Sequence, residues 1–156
     1  MFLGLSIMSS AIGNPVAVDI YELKDKNREL GIEQVIKSNL FSKINDVSSL
    51  NFGITISNYW LKIVVKNTVP DATYKLIISC IVLDTVEIYE QKDGNLKKEL
   101  IGEAIPSDER FLNYYFKPSD EETILYLKIT GDGQPVALPL SIIRSDKGES
   151  QQFAKF

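Results

Sequence analysis

Between residues 59 and 67 the chain reads YWLKIVVKN, and alternate positions differ in character. Leu61, Ile63 and Val65 fall on one side of an extended strand. Trp60, Lys62, Val64 and Lys66 fall on the other, because strand side chains alternate with period two. The sole tryptophan thus stands on the more polar side, where either another element covers it or it is presented to a ligand. A turn-rich lead, residues 51–58, precedes this strand.

Similar apolar segments recur, and strands are expected at residues 16–22, 59–67, 73–82, 85–91, 96–100, 110–117, 123–130 and 135–143. Breakers separate them: Pro70-Asp71, Asp93-Gly94-Asn95, Pro106-Ser107-Asp108, Pro118-Ser119-Asp120 and Gly131-Asp132-Gly133. Asp93-Gly94 is a hairpin signal, since glycine tolerates the positive φ of such turns. Residues 24–29 read as a charged turn and 42–50 as a polar loop. Only 31–38 changes period, with Ile32, Val35 and Ile36 at helical spacing. The pattern predicts an all-β antiparallel sandwich of about eight strands with one short helix.

Composition narrows the function. With 156 residues, 44% hydrophobic and 24% charged, the chain suits one soluble domain with a sizeable core. Its net charge of −4 and pI near 4.9 argue against nucleic acid, which needs a basic stripe. Histidine is absent, removing the commonest general base and zinc ligand. The single cysteine, Cys80, lies in an apolar run and reads as a small buried hydrophobe. Residues 1–14 are apolar, then small, and read as the remnant of an export signal or anchor. Residues 15–144 form the expected sandwich, and 145–156 read as a linker.

Alternation also yields a candidate binding face. Val86 and Ile88 leave Glu87 and Tyr89 opposite; Leu112, Tyr114 and Phe116 leave Phe111, Asn113, Tyr115 and Lys117 opposite. If these faces share one sheet with Trp60, rings and hydrogen-bonding groups line a surface suited to sugars. The alternatives are a Trp60 capped by the 31–38 helix and a Tyr115 in ordinary outer-face packing. Carboxylate pairs such as Glu87/Glu90 or Glu121/Glu122 and the acidic turn at 119–122 match no catalytic or calcium-loop pattern. No cofactor or metal is expected, and catalysis is the weakest reading.

The ordered motifs carry a resemblance. They are Ile32-Glu33-Gln34-Val35, Phe52-Gly53, Tyr59-Trp60-Leu61-Lys62, Asn67, Leu83-Asp84-Thr85-Val86-Glu87-Ile88-Tyr89, Gly102, Ile105-Pro106, Glu109-Arg110, Tyr126-Leu127-Lys128 and Leu138-Pro139-Leu140. Together they resemble the second type of extracellular sensor domain found in seven-transmembrane receptors with diverse intracellular signalling modules. The resemblance spans roughly residues 16–143. It implies a jelly-roll-like sandwich similar to carbohydrate-binding modules, periplasmic or otherwise extracytoplasmic, tethered to a membrane-embedded helical region. Arg110 and Asp84 are motif positions, and two roles stand open for Arg110: an ion pair with Asp84 or a ligand clamp.

The resulting expectation is a non-enzymatic sensor. Its candidate ligand-binding residues are Trp60, Tyr89, Arg110, Asn113 and Tyr115, and its partner is a small glycan-like ligand or another periplasmic domain. Pairing of two copies is a further expectation, and a stand-alone carbohydrate-binding or adhesion module is the alternative.

Overall fold

Strand β1 (Ala17–Asp25) pairs antiparallel with β4 (Asn58–Lys66) along its whole length, from Ala17 opposite Lys66 to Asp25 opposite Asn58. In this computed structural model the residues described are 16–45, 50–66, 68–79, 85–102, 111–119 and 121–145. On one flank of the β1/β4 pair lies β2 (Ser42–Ile44). On the other lie β9 (Thr123–Ile129), β6 (Val86–Lys92) and β7 (Asn95–Ile101), giving a six-stranded sheet ordered β2-β1-β4-β9-β6-β7. A second layer holds β11 (Leu140–Arg144), β5 (Tyr74–Ile78) and β8 (Leu112–Phe116), ordered β11-β5-β8. A short pair of β3 (Asn51–Ile54) with β10 (Pro135–Ala137) completes it. Every pairing among the described residues is antiparallel.

The alternation explains the layers. Leu61, Ile63 and Val65, Val86 and Ile88, and Leu125, Leu127 and Ile129 are all buried on the inner face of the large sheet. They meet Tyr74, Leu76, Ile78, Tyr114, Phe116, Val136, Leu138 and Ile142 from the facing strands. Each sheet loses its greasy side to water without the other, so burial drives the two together. The result is the jelly-roll-like antiparallel sandwich that the sequence implies.

Four segments differ from expectation, the first being β1, which runs on to Asp25 and into the expected 24–29 turn. The 42–50 loop contains β2, and the 51–58 lead contains β3. Both are short and largely exposed, so backbone pairing, not an apolar period, defines them. The expected 135–143 strand is two strands, because Pro139 has no N–H to give a ladder. Leu138 N–H donates instead to Leu50 carbonyl at 2.8 Å, and Ser79 N–H donates to Pro139 carbonyl at 3.0 Å.

The single described helix, α1 (Ile32–Lys37), follows a turn built on buried Asp25. The Asp25 carboxylate accepts the N–H groups of Glu29 and Leu30 at 3.1 and 3.0 Å. The Gln34 side chain accepts Gly31 N–H at 2.6 Å, fixing the first turn.

Gly131 closes the far side of the fold through lack of a side chain. A Cβ there would lie 2.2 Å from Ser57 carbonyl oxygen and 2.7 Å from that of Thr55. Gly131→Ala is therefore expected to destabilise the domain by about 1–3 kcal/mol through forced backbone displacement. Urea unfolding of the variant measures this, set against Gly31→Ala as a control, since Gly31 has an ordinary φ of −99° and its Cβ would come no closer than 3.4 Å to Gln34 Oε1.

Candidate ligand-binding site

Registers across the large sheet place its outer-face side chains in rows. One row runs Leu23, Trp60, Lys128, Glu87 and Leu100; the next runs Tyr21, Lys62, Tyr126, Tyr89 and Lys98. Both rows mix rings with lysines. Lys128 Nζ lies 5.8 Å from the Trp60 ring, Lys98 Nζ 5.6 Å from the Tyr89 ring, and Lys62 Nζ 5.6 Å from the Tyr21 ring. Ammonium groups over π faces gain electrostatic attraction beyond simple contact.

Helix α1 lies over the middle of these rows. Its Val35 is fully buried, and Ile32 and Ile36 join Leu30 and Phe41 against Leu23, Trp60, Tyr89 and Tyr126. Trp60 is 1% exposed and Tyr89 8%. Trp60 thus takes the alternative in which the 31–38 helix caps it, and Tyr89, a candidate ligand-binding residue, shares that cover: a second apolar cluster buries both rings, with their centroids 5.9 Å apart. Among the described residues, Trp60 Nε1 is buried without a hydrogen-bond partner.

Glu87 anchors the rim of this cluster. Tyr89 hydroxyl donates to Glu87 Oε1 at 2.6 Å, while Lys98 and Lys128 approach its two oxygens at 3.6 and 3.8 Å. Burial acts to raise the Glu87 pKa, but the Tyr89 hydrogen bond and the charges of Lys128 and Lys98 outweigh it and hold it below the usual carboxylate range. The Tyr89 phenol is pushed upward by burial and then by its bond to Glu87.

The expected joining of this face with that of β8 does not occur. Strands β4 and β6 belong to the six-stranded sheet and β8 to the three-stranded one, so their outer faces look away from each other. On β8, Tyr114 and Phe116 point into the core while Asn113 and Tyr115 are half-buried on the outside. Asn113 Nδ2 donates to Phe111 carbonyl at 3.0 Å, and Lys75 Nζ stands 5.7 Å from the Tyr115 ring. Arg110 and Asp84 lie outside the described residues, as do Cys80 and residues 1–14.

Tyr115 borders a hollow of about 380 Å³. The hollow lies where two edge strands, β7 and β8, come together without sharing a ladder. Phe116 and Lys117 continue its wall from β8; Glu90, Lys92, Asp93, Asn95 and Lys97 supply the other wall from the β6–β7 hairpin. That hairpin turns through Asp93 and Gly94, both at positive φ (52° and 81°), the signature of a type I′ turn.

Glu90 continues the inward row of Val86 and Ile88, so the apolar row ends in a carboxylate that is 6% exposed. Tyr114 hydroxyl, from the facing sheet, donates to its Oε1 at 2.5 Å. Burial and then this neighbour push the Tyr114 phenol upward. Lys92 Nζ donates to Lys117 carbonyl at 2.7 Å and stands 4.0 Å from Glu90 Oε2, tying the hairpin to the end of β8. The sequence offered a partial signal for this wall: a two-residue Asp-Gly turn sets Lys92 opposite Asn95 and Glu90 opposite Lys97. Nothing in it showed that β8 lies alongside.

Two tests follow from this geometry. Trp60→Ala is expected to cost about 3–5 kcal/mol in urea unfolding, as for removal of a large core ring. The second concerns ionisation. Tyr89, Tyr114 and Tyr126 all have raised pKa values, so their neutral forms add stability below the unfolded tyrosine pKa and lose it as pH climbs beyond. Near-ultraviolet titration at about pH 11 should show tyrosinate signal from the native protein well short of that in urea. Glu87 has the opposite sign: its contribution is present above the unfolded carboxylate pKa and lost as pH falls through the lowered folded value. The stability gap between the native chain and Glu87→Gln should therefore close on acidification.

A family profile described as 7TMR-DISM extracellular 2 matches residues 17–144. Among solved structures, the chain is similar to the enzymatically active domain of bacteriophage CBA120 tailspike protein 4. That match has 10% identity and a TM-score of 0.42, over 83% of this chain and 19% of the other, so the chain spans about a fifth of that structure's length. It is also similar to a subtype-switched Epithelial Adhesin 9 to 1 A domain from Candida glabrata, solved with β-lactose, at 10% identity and a TM-score of 0.36 over 90% of each chain. A search of curated proteins finds no match. The profile covers nearly the whole described sandwich, and the chain belongs to the 7TMR-DISM extracellular 2 family, the extracytoplasmic sensor domains of membrane receptors.

Proposed function

We propose that this domain is a non-enzymatic ligand sensor, that its ligand is carbohydrate-like, and that it binds in the hollow beside Tyr115. The observation that carries the reading is a half-buried aromatic ring bordering a cavity whose opposite wall offers an amide, Asn95, and charged hydrogen-bonding groups. Sugars present C–H faces that pack on rings and hydroxyls that need donors and acceptors, and this wall supplies both. The volume lies within the range of small-ligand sites.

Signalling requires the ligand to favour one arrangement over another, because equal affinity for two states shifts neither. The hollow meets that requirement by its position. It lies between strands of different sheets, and its two walls are held together by the Lys92–Lys117 hydrogen bond and the Tyr114–Glu90 bond. A ligand that fits one spacing of the walls stabilises that spacing.

Tyr115→Ala tests the assignment. Removal of a half-buried outer ring is expected to leave the melting temperature within a few degrees, while binding on a glycan array falls to background. A stable Tyr115→Ala protein that keeps full glycan affinity would move the site elsewhere.

A further inference from the structure

The walls of the hollow carry a charge opposite in sign to that of the whole chain. Its lining residues include three lysines, Lys92, Lys97 and Lys117, against two acids, Glu90 and Asp93, a formal balance of +1; the chain as a whole is −4. The acids are also unequal. Glu90 is almost fully buried, with one oxygen already taken by the Tyr114 hydroxyl and the other facing Lys92. Asp93, on the exposed hairpin turn, projects negative charge at the rim, and Glu99 stands beside Lys97 on the same edge strand.

The lysines are placed differently from their acid neighbours. Lys97 is exposed on edge strand β7, with its Nζ 5.9 Å from the Tyr114 ring and a loose 3.9 Å pairing to Glu99. Lys117 is exposed just past the end of β8, on the opposite wall. A ligand packed on Tyr115 therefore has cationic groups on both sides. An anionic substituent there gains charge-assisted hydrogen bonds that a neutral sugar cannot make.

We infer that the hollow selects an acidic saccharide, one whose ring lies on Tyr115 while a carboxylate reaches Lys97 and Lys117. This rests on the sugar reading of the site and adds to it the charge of the ligand. Exposed charges are screened by salt, so the preference is strongest at low ionic strength.

The test uses the full chain on an array holding uronate, sialate and neutral oligosaccharides, followed by titration calorimetry. The best acidic ligand is compared with its own methyl ester, which keeps the ring and removes the charge. The acid is expected to bind about tenfold tighter than the ester at low salt, equivalent to about 1.4 kcal/mol, with the gap shrinking as salt is added. The double variant Lys97→Gln/Lys117→Gln should bring the acid down to the ester's affinity, both measured on that variant, and keep a native melting temperature. Equal binding of acid and ester, or binding confined to neutral glycans and lost in Tyr115→Ala, overturns the acidic preference and keeps the sugar site. Inorganic phosphate binding as tightly as the acidic saccharide overturns it as well, since the ring would then contribute nothing. No glycan bound at all overturns both readings.

Discussion

The domain depends on one constraint, that the apolar halves of β4, β6 and β9 must find a facing layer. Those strands are the centre of the six-stranded sheet, and their inward residues are buried to the last few per cent. Among the described residues, the facing layer is smaller than the sheet it covers, three strands plus a two-stranded pair. Where cover runs out, polar groups take over in the same row. Glu90 follows Val86 and Ile88, and the hydroxyl of Tyr114 reaches across to meet it. Tyr74 does similar work elsewhere: its body is buried and its hydroxyl accepts Val69 N–H at 2.9 Å. Such rings close the margins of a core without leaving their oxygens unsatisfied.

The outside of the large sheet obeys the same economy with a different cover. A six-residue helix is too short to be stable alone, yet α1 is held by Asp25 below and by its own apolar side above. It hides Trp60 and Tyr89, leaving lysines and Glu87 around the edge. One face of the sandwich is thereby sealed. Among the described residues, a hollow opens instead at the junction of two sheet edges.

Much of this was legible in the order of residues. The period-two rows of β4, β6 and β8 read correctly as to which side chains turn inward, and the 31–38 helix appeared almost in place as Ile32–Lys37. Alternation says which residues share a face of one strand, but not which strands share a sheet. That is why Trp60 and Tyr115, grouped by character, turn out on opposite sides. Strands β2 and β3 carried no apolar rhythm because they are held by backbone pairing at exposed positions. The cationic wall was half visible in the Asp93-Gly94 turn; its other half needed the three-dimensional neighbour β8.

The three-stranded sheet also sets a distance. Phe116 lies opposite Tyr74, and Tyr74 lies opposite Arg144, the last residue of β11. From the cavity wall at Phe116 to the exit of β11 is thus two strand spacings, roughly 10 Å, across a continuous hydrogen-bonded ribbon. A strand ladder transmits sideways displacement with little slack, whereas the junction between β7 and β8 is held by side-chain bonds such as Lys92–Lys117 and Tyr114–Glu90. A shift of the wall at Phe116 is thus coupled to Arg144 through backbone pairing alone, by way of Tyr74.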